Sequence, residues 1–107
     1  MDINAYKAHL KVMKKLEEKY NDKERYPRGI NSENADLIDT AEYYDAKHYT
    51  SLYHLFQAIK NKDEEAVRKF RKEATDTLKE LKKCDKKMGI ESQGHGLEHI
   101  PEISELD

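Results

Sequence analysis

The stretch SENADLIDTAEYYDAKHYTSLYHLFQAIKN, Ser32 to Asn61, decides the fold. Its apolar residues recur with the period of a helix, and at 3.6 residues per turn it would wind through about eight turns. It holds four of the seven tyrosines and two of the five histidines. At about 100° per residue, Leu37, Ile38, Ala41, Tyr44, Leu52, Leu55, Phe56 and Ile59 share one face, with Tyr49 at its edge. Asp36, Thr40, Tyr43, Lys47, Thr50, His54 and Gln57 fall on or near the other. Asp45 and His48 break this division, because they project from within the apolar stripe, three residues apart and hence adjacent on a helix. A carboxylate and an imidazole aimed at a core must find partners or shift their protonation.

Outward from this stretch, the rest of the chain reads as helices that pack on it. Asp2 or Asn4 can cap a first helix that runs to about Tyr20, with Tyr6, Leu10, Met13, Leu16 and Tyr20 on its apolar face, Ala5 and Val12 on a flank and His9 in the middle. Asn21 to Asn31 is turn chemistry, with Pro27 disfavouring helix at Tyr26. Ser32 is the expected cap of the second helix, with Glu33 and Asp36 at its positive end. Asp63, Glu64 and Glu65 open a third helix so soon after Asn61 that the two must fold back as an antiparallel hairpin. Its inward residues are Ala66, Val67, Phe70, Ala74, Thr77, Leu78, Leu81, Cys84 and Met88, and Gly89 is a left-handed stop after a lysine-rich last turn.

The expected fold is therefore all-α: an antiparallel three-helix bundle over residues 1–88, followed by an acidic tail over 89–107. A short fourth helix can follow Pro101. At 39% charged and 36% hydrophobic residues the composition approaches that of disordered chains, but the helical period of the apolar residues argues for an amphipathic assembly. The net charge of −2 hides a segregation, the segments 1–28, 29–59, 60–87 and 88–107 carrying +3, −4, +4 and −5. Lysines of the third segment read as interleaved with acids, so direct nucleic-acid binding is not expected. A single cysteine, Cys84, suits a reducing compartment. With no apolar run near 18 residues and a polar start, a cytoplasmic protein that does not enter membranes is expected.

Residues equidistant from the hairpin turn face each other, which sets His48 opposite Thr77. If Tyr20 lies near Asn34, His9 comes level with Asp45 and His48, and His9, Asp45, His48 and Thr77 form one buried polar layer. Such a layer fixes helix register; the sharper alternative is a divalent metal, such as zinc, held by His9, Asp45 and His48. His95 to His99 spells the inverted zincin string H-x-x-E-H, but Gly94, Gly96 and Pro101 oppose the helix that this motif needs. No phosphate-binding glycine loop, paired-cysteine motif or nucleophilic triad order is recognisable, and no cofactor is expected outside the metal alternative.

The functional expectation is a noncatalytic protein-interaction module, a regulator, inhibitor or immunity-type factor. Tyr43, Tyr53 and His54 beside Asp36, Asp39 and Glu42 make a tyrosine-rich acidic face suited to a protein partner. A first helix of this length leaves Leu55, Phe56, Ile59, Val67 and Phe70 uncovered at the turn end, so either the tail returns over them with Leu97, Ile100, Ile103 and Leu106 or, the favoured expectation, a homodimer forms through that patch.

Overall fold

The computed structural model describes residues 2–89 of the chain, as three helices with no strand among them: α1 (Ile3–Lys19), α2 (Leu37–Lys60) and α3 (Glu64–Lys87). The bundle is antiparallel throughout. Its ends are set by the capping chemistry of the sequence: Asp2 accepts from the Asn4 amide, and Asp63 from the Ala66 amide. The hairpin joint closes with Lys62 N–H donating to the Ile59 carbonyl and Asp63 N–H to the Ala58 carbonyl. Lys62 is left-handed at φ 55°, so the six-residue C-cap motif that commonly takes glycine is made here with a lysine. Gly89, at φ 72°, ends α3 in the same region of backbone space.

One boundary differs from expectation. α2 begins at Leu37, not after Ser32, because the preceding residues have a better local use for their polar groups. Asn31 Oδ1 accepts from the amides of Glu33 and Asn34, and the Asn34 side chain donates to the Gly29 carbonyl, a closed turn that competes with helix. Asp36 is the working cap and accepts from Ile38 and Asp39. Ser32 is instead buried in the loop, and its carbonyl accepts from Lys87 Nζ at 2.9 Å, which ties the loop to the end of α3.

α2 is the middle of the molecule. α3 packs along one side of it and α1 along another, and α1 and α3 scarcely meet. On the α3 side Leu52, Leu55, Ala58 and Ile59 join Val67 and Ala74, with Phe56, Ala66 and Phe70 packed against them. On the α1 side Leu16, Tyr20, Ile30 and Tyr43 form a second cluster, closed by Met13, Tyr26, Ala35 and Tyr44. Tyr53 and Leu55 are two residues apart, about 160° round the helix, and both are covered, Tyr53 by α1 and Leu55 by α3.

The turn-end patch expected to drive dimerisation is satisfied within one chain. Leu55, Ile59 and Val67 are buried, and Phe56 and Phe70 are partly buried. α1 contributes to this, since Tyr6 stacks on Tyr53 and its hydroxyl lies 3.0 Å from His54 Nε2, while the His54 ring stacks on Phe70. Leu10 and Val12, expected inward or on the flank, are exposed, and α1 buries only Leu16 fully. The acidic tail, with the H-x-x-E-H string and the short helix after Pro101, lies outside the described residues.

The two-sided burial gives a direct test. Leu55→Ala should destabilise the protein by about 2 to 5 kcal/mol, as large-to-small changes in a closed core do. Ile38→Ala, at a position 65% exposed, should stay within about 0.5 kcal/mol of the parent. Chemical denaturation of both variants measures the contrast, and equal losses would refute the face assignment.

Candidate interaction surface

The aromatic part of the tyrosine-rich acidic face expected from the sequence is spent inside the fold, while Asp36 and Glu42 stay exposed. Tyr43 is 9% exposed, and its hydroxyl donates to the Glu17 carboxylate at 3.0 Å. Tyr53 is stacked on Tyr6 with ring centroids 4.2 Å apart, and His54 lies between Tyr6 and Phe70. Asp39 accepts from Lys19 Nζ and from the Tyr20 hydroxyl, each at 2.6 Å. Asp36 caps α2, and Glu42 is exposed. This face is where α1 docks. A phenol or a threonine suits that interface as well as it suits water, so residue type alone assigned it to solvent.

Half of the expected polar layer assembles. His48 is fully buried, with Nδ1 2.9 Å from the Ala74 carbonyl oxygen and 3.0 Å from Thr77 Oγ1. A carbonyl only accepts, so Nδ1 carries the proton. Thr77 donates into its own helix, to the Glu73 and Ala74 carbonyls. The register across the hairpin is thus the expected one. His9 and Asp45 do not join. His9 stacks on Tyr49 at 4.2 Å, and its Nδ1 donates to the Ala5 carbonyl at 2.6 Å; Asp45 is half-buried and bonds to neither histidine.

The physical cause of the miss is the late start of α2. Tyr20 meets Asp39 rather than Asn34, five residues on, and the whole of α1 is displaced with it, so His9 comes level with Tyr49. Accordingly, among the described residues no group of three or more His, Cys, Asp or Glu side chains comes together to hold a metal ion. The His9, Asp45 and His48 triad is not formed.

What remains outward is a surface the sequence reading passed over. Arg68, Lys72, Thr75, Lys79, Lys82, Lys83 and Lys86 recur at helical spacing along the outside of α3, and all are exposed. From Arg68 to Lys86 the ridge runs about 27 Å at 1.5 Å per residue. Of the acids of α3, Glu73 and Glu80 lie on the flank and Asp85 is turned inward at 7% exposure, whereas Asp76 is exposed beside Lys72 and Lys79, and Glu64 and Glu65 are exposed in the first turn, ahead of Arg68. Counted along the chain, acids and bases interleave; viewed round the helix, the six cationic side chains from Arg68 to Lys86 share an arc of about 100°, with Asp76 at its border. That angular pattern was available in the sequence.

Beside the ridge, between α2 and α3, lies an open groove of about 600 Å³. Lys47, Lys69, Lys72, Lys79 and Lys83 line it together with Glu73, Asp76 and Glu80. Lys83 donates to Glu80 at 3.2 Å, an exposed pair of small energetic weight. Cys84 is a buried free thiol, and burial pushes its pKa up, away from nucleophilic use. No described helix is long and apolar enough to cross a membrane. Comparison with protein-family models, with curated proteins and with solved structures finds no match.

The phenols under α1 give the site region a pH signature. Burial raises the pKa of Tyr43 and Tyr44, and burial followed by the hydrogen bond to Asp39 raises that of Tyr20. A group raised above its unfolded value near 10 stabilises the fold fully below that pH and loses the contribution as pH rises toward the folded value. Asp39 is lowered, first by the hydrogen bond from Lys19 and then by that from Tyr20, so its contribution holds above about pH 4 and fails on further acidification. Alkaline titration followed by phenolate absorbance and by circular dichroism should show Tyr20, Tyr43 and Tyr44 ionising late, together with loss of helix. Ionisation of all phenols near pH 10 with helix intact would contradict this packing.

Proposed function

We propose that this chain is a noncatalytic protein-interaction module that binds an acidic surface of a partner protein through the outward ridge of α3. The observation that carries the reading is the ridge itself, six exposed cationic side chains aligned along α3, which outnumber the one exposed acid among them, Asp76. Aromatic anchors of the kind that dominate tight interfaces are committed to the packing of α1 on α2. Binding therefore depends on charge. It is fast, sensitive to salt and moderate in affinity, as rim charges steer encounter more than they add affinity. A regulator or inhibitor working from the cytoplasm fits this class of action, and the buried free Cys84 suits a reducing compartment.

The test uses a defined probe, a helical peptide with glutamate at every third and fourth position, and fluorescence anisotropy at low salt and at about 0.15 M salt. The parent chain should bind it at low salt and weaken as salt rises. A triple variant, Lys72→Glu, Lys79→Glu and Lys83→Glu, should lose at least about tenfold in affinity with its melting temperature nearly unchanged, since all three positions are exposed. Full binding by the triple variant would reject the ridge. Tighter binding of duplex DNA than of the peptide would replace a protein partner with nucleic acid.

A further inference from the structure

The ridge has a candidate occupant within the same chain. Residues 90–107 contain Glu91, Glu98, Glu102, Glu105 and Asp107 and no lysine or arginine. They leave α3 just after Lys86 and Lys87, at the C-terminal end of the ridge. Residues 1–89 carry a net charge of +3 and residues 90–107 carry −5, so this segment alone reverses the sign of the chain. We propose that residues 90–107 are a built-in competitor, an acidic segment that screens the α3 ridge until an acidic partner displaces it. The proposal rests on the ridge being the binding surface.

Geometry and tethering both permit it. Eighteen residues at about 3.3 Å each reach roughly 60 Å, more than twice the ridge length of about 27 Å. Individual exposed ion pairs contribute only about 0 to 1 kcal/mol, too little to hold a free peptide. A segment joined by a short linker, however, acts at an effective concentration on the order of millimolar, where weak contacts suffice. The same weakness makes the contact displaceable. A partner presenting more acids, better fixed, wins without any rearrangement of the helices, and the competition raises the selectivity of the ridge against sparse negative charge.

Two measurements on the full chain test this. The variant has Glu91→Gln, Glu98→Gln, Glu102→Gln, Glu105→Gln and Asp107→Asn, which keeps length and shape and removes the charge. The first measurement needs no partner: the rate at which an amine-reactive acylating reagent modifies Lys72, Lys79 and Lys83, read by mass spectrometry, with Lys7 and Lys11 of α1 as internal references. Neutralising the segment should speed modification of the three ridge lysines at least about twofold at low salt and leave the references unchanged. The contrast should shrink at about 0.15 M salt, where the Debye length is about 8 Å. Equal rates in parent and variant overturn the competitor.

The second measurement is affinity for the glutamate-rich helical peptide. The variant should bind it several-fold more tightly than the parent, and adding the Lys72→Glu, Lys79→Glu and Lys83→Glu changes should abolish the gain. Equal binding by parent and variant overturns the competitor while leaving the ridge as the binding surface. Absence of binding in both overturns the ridge, and the competitor with it.

Discussion

Everything in this fold follows from α2 having to bury two sides at once. A helix with one apolar stripe needs one neighbour; α2 carries leucines and isoleucine toward α3 and a band of tyrosine, threonine and histidine toward α1. The first side is satisfied by hydrocarbon contact, the main source of stability in such a bundle. The second is satisfied by rings that stack and by phenols that donate, Tyr43 to Glu17 and Tyr20 to Asp39. These contacts are directional, so they fix where α1 sits as well as that it sits. The loop between α1 and α2 then has to deliver α1 to that register, and the Asn31 turn and the half-buried hydrogen bond from the Tyr44 hydroxyl to the Ile30 carbonyl hold it there.

Much of this was legible in the residues. The helices, the Asp2 and Asp63 caps, the left-handed Gly89 and the facing of His48 and Thr77 all follow from spacing and turn length, because short connections leave little freedom. What was not legible traces to two causes. Ser32, a good cap by type, lost to an Asn31 turn five residues before the true helix start, and that offset carried His9 away from Asp45. The other cause is that tyrosine does not report its side of a helix. Tyr43, Tyr53 and His54 look like a solvent face by polarity, yet an aromatic-rich partner helix covers them.

The consequence for function is an exchange of surfaces. Side chains that read as anchors for a partner became the mortar of α1, whereas lysines that read as interleaved with acids line the outside of α3. Bases that alternate with acids along a chain can still gather on one arc of a helix, since a step of one residue is about 100°. The alternation of segment charges, +3, −4, +4 and −5, then reads differently: the acidic second helix is flanked by basic ones, and the last acidic segment has a basic ridge beside its origin.

The central structural claim is that α2 is the shared middle element, with α1 attached to it by a thinner, more polar contact than α3. Native-state amide hydrogen exchange measures this most directly, since it reports the free energy of opening along the backbone. The account predicts the slowest exchange in the α2 and α3 amides around Leu52, Leu55, Ala74 and Leu81, opening together at the global stability, and a faster, separate opening of α1. Protection of α1 equal to that of α2, or an α3 that opens first while α1 and α2 hold, would contradict it.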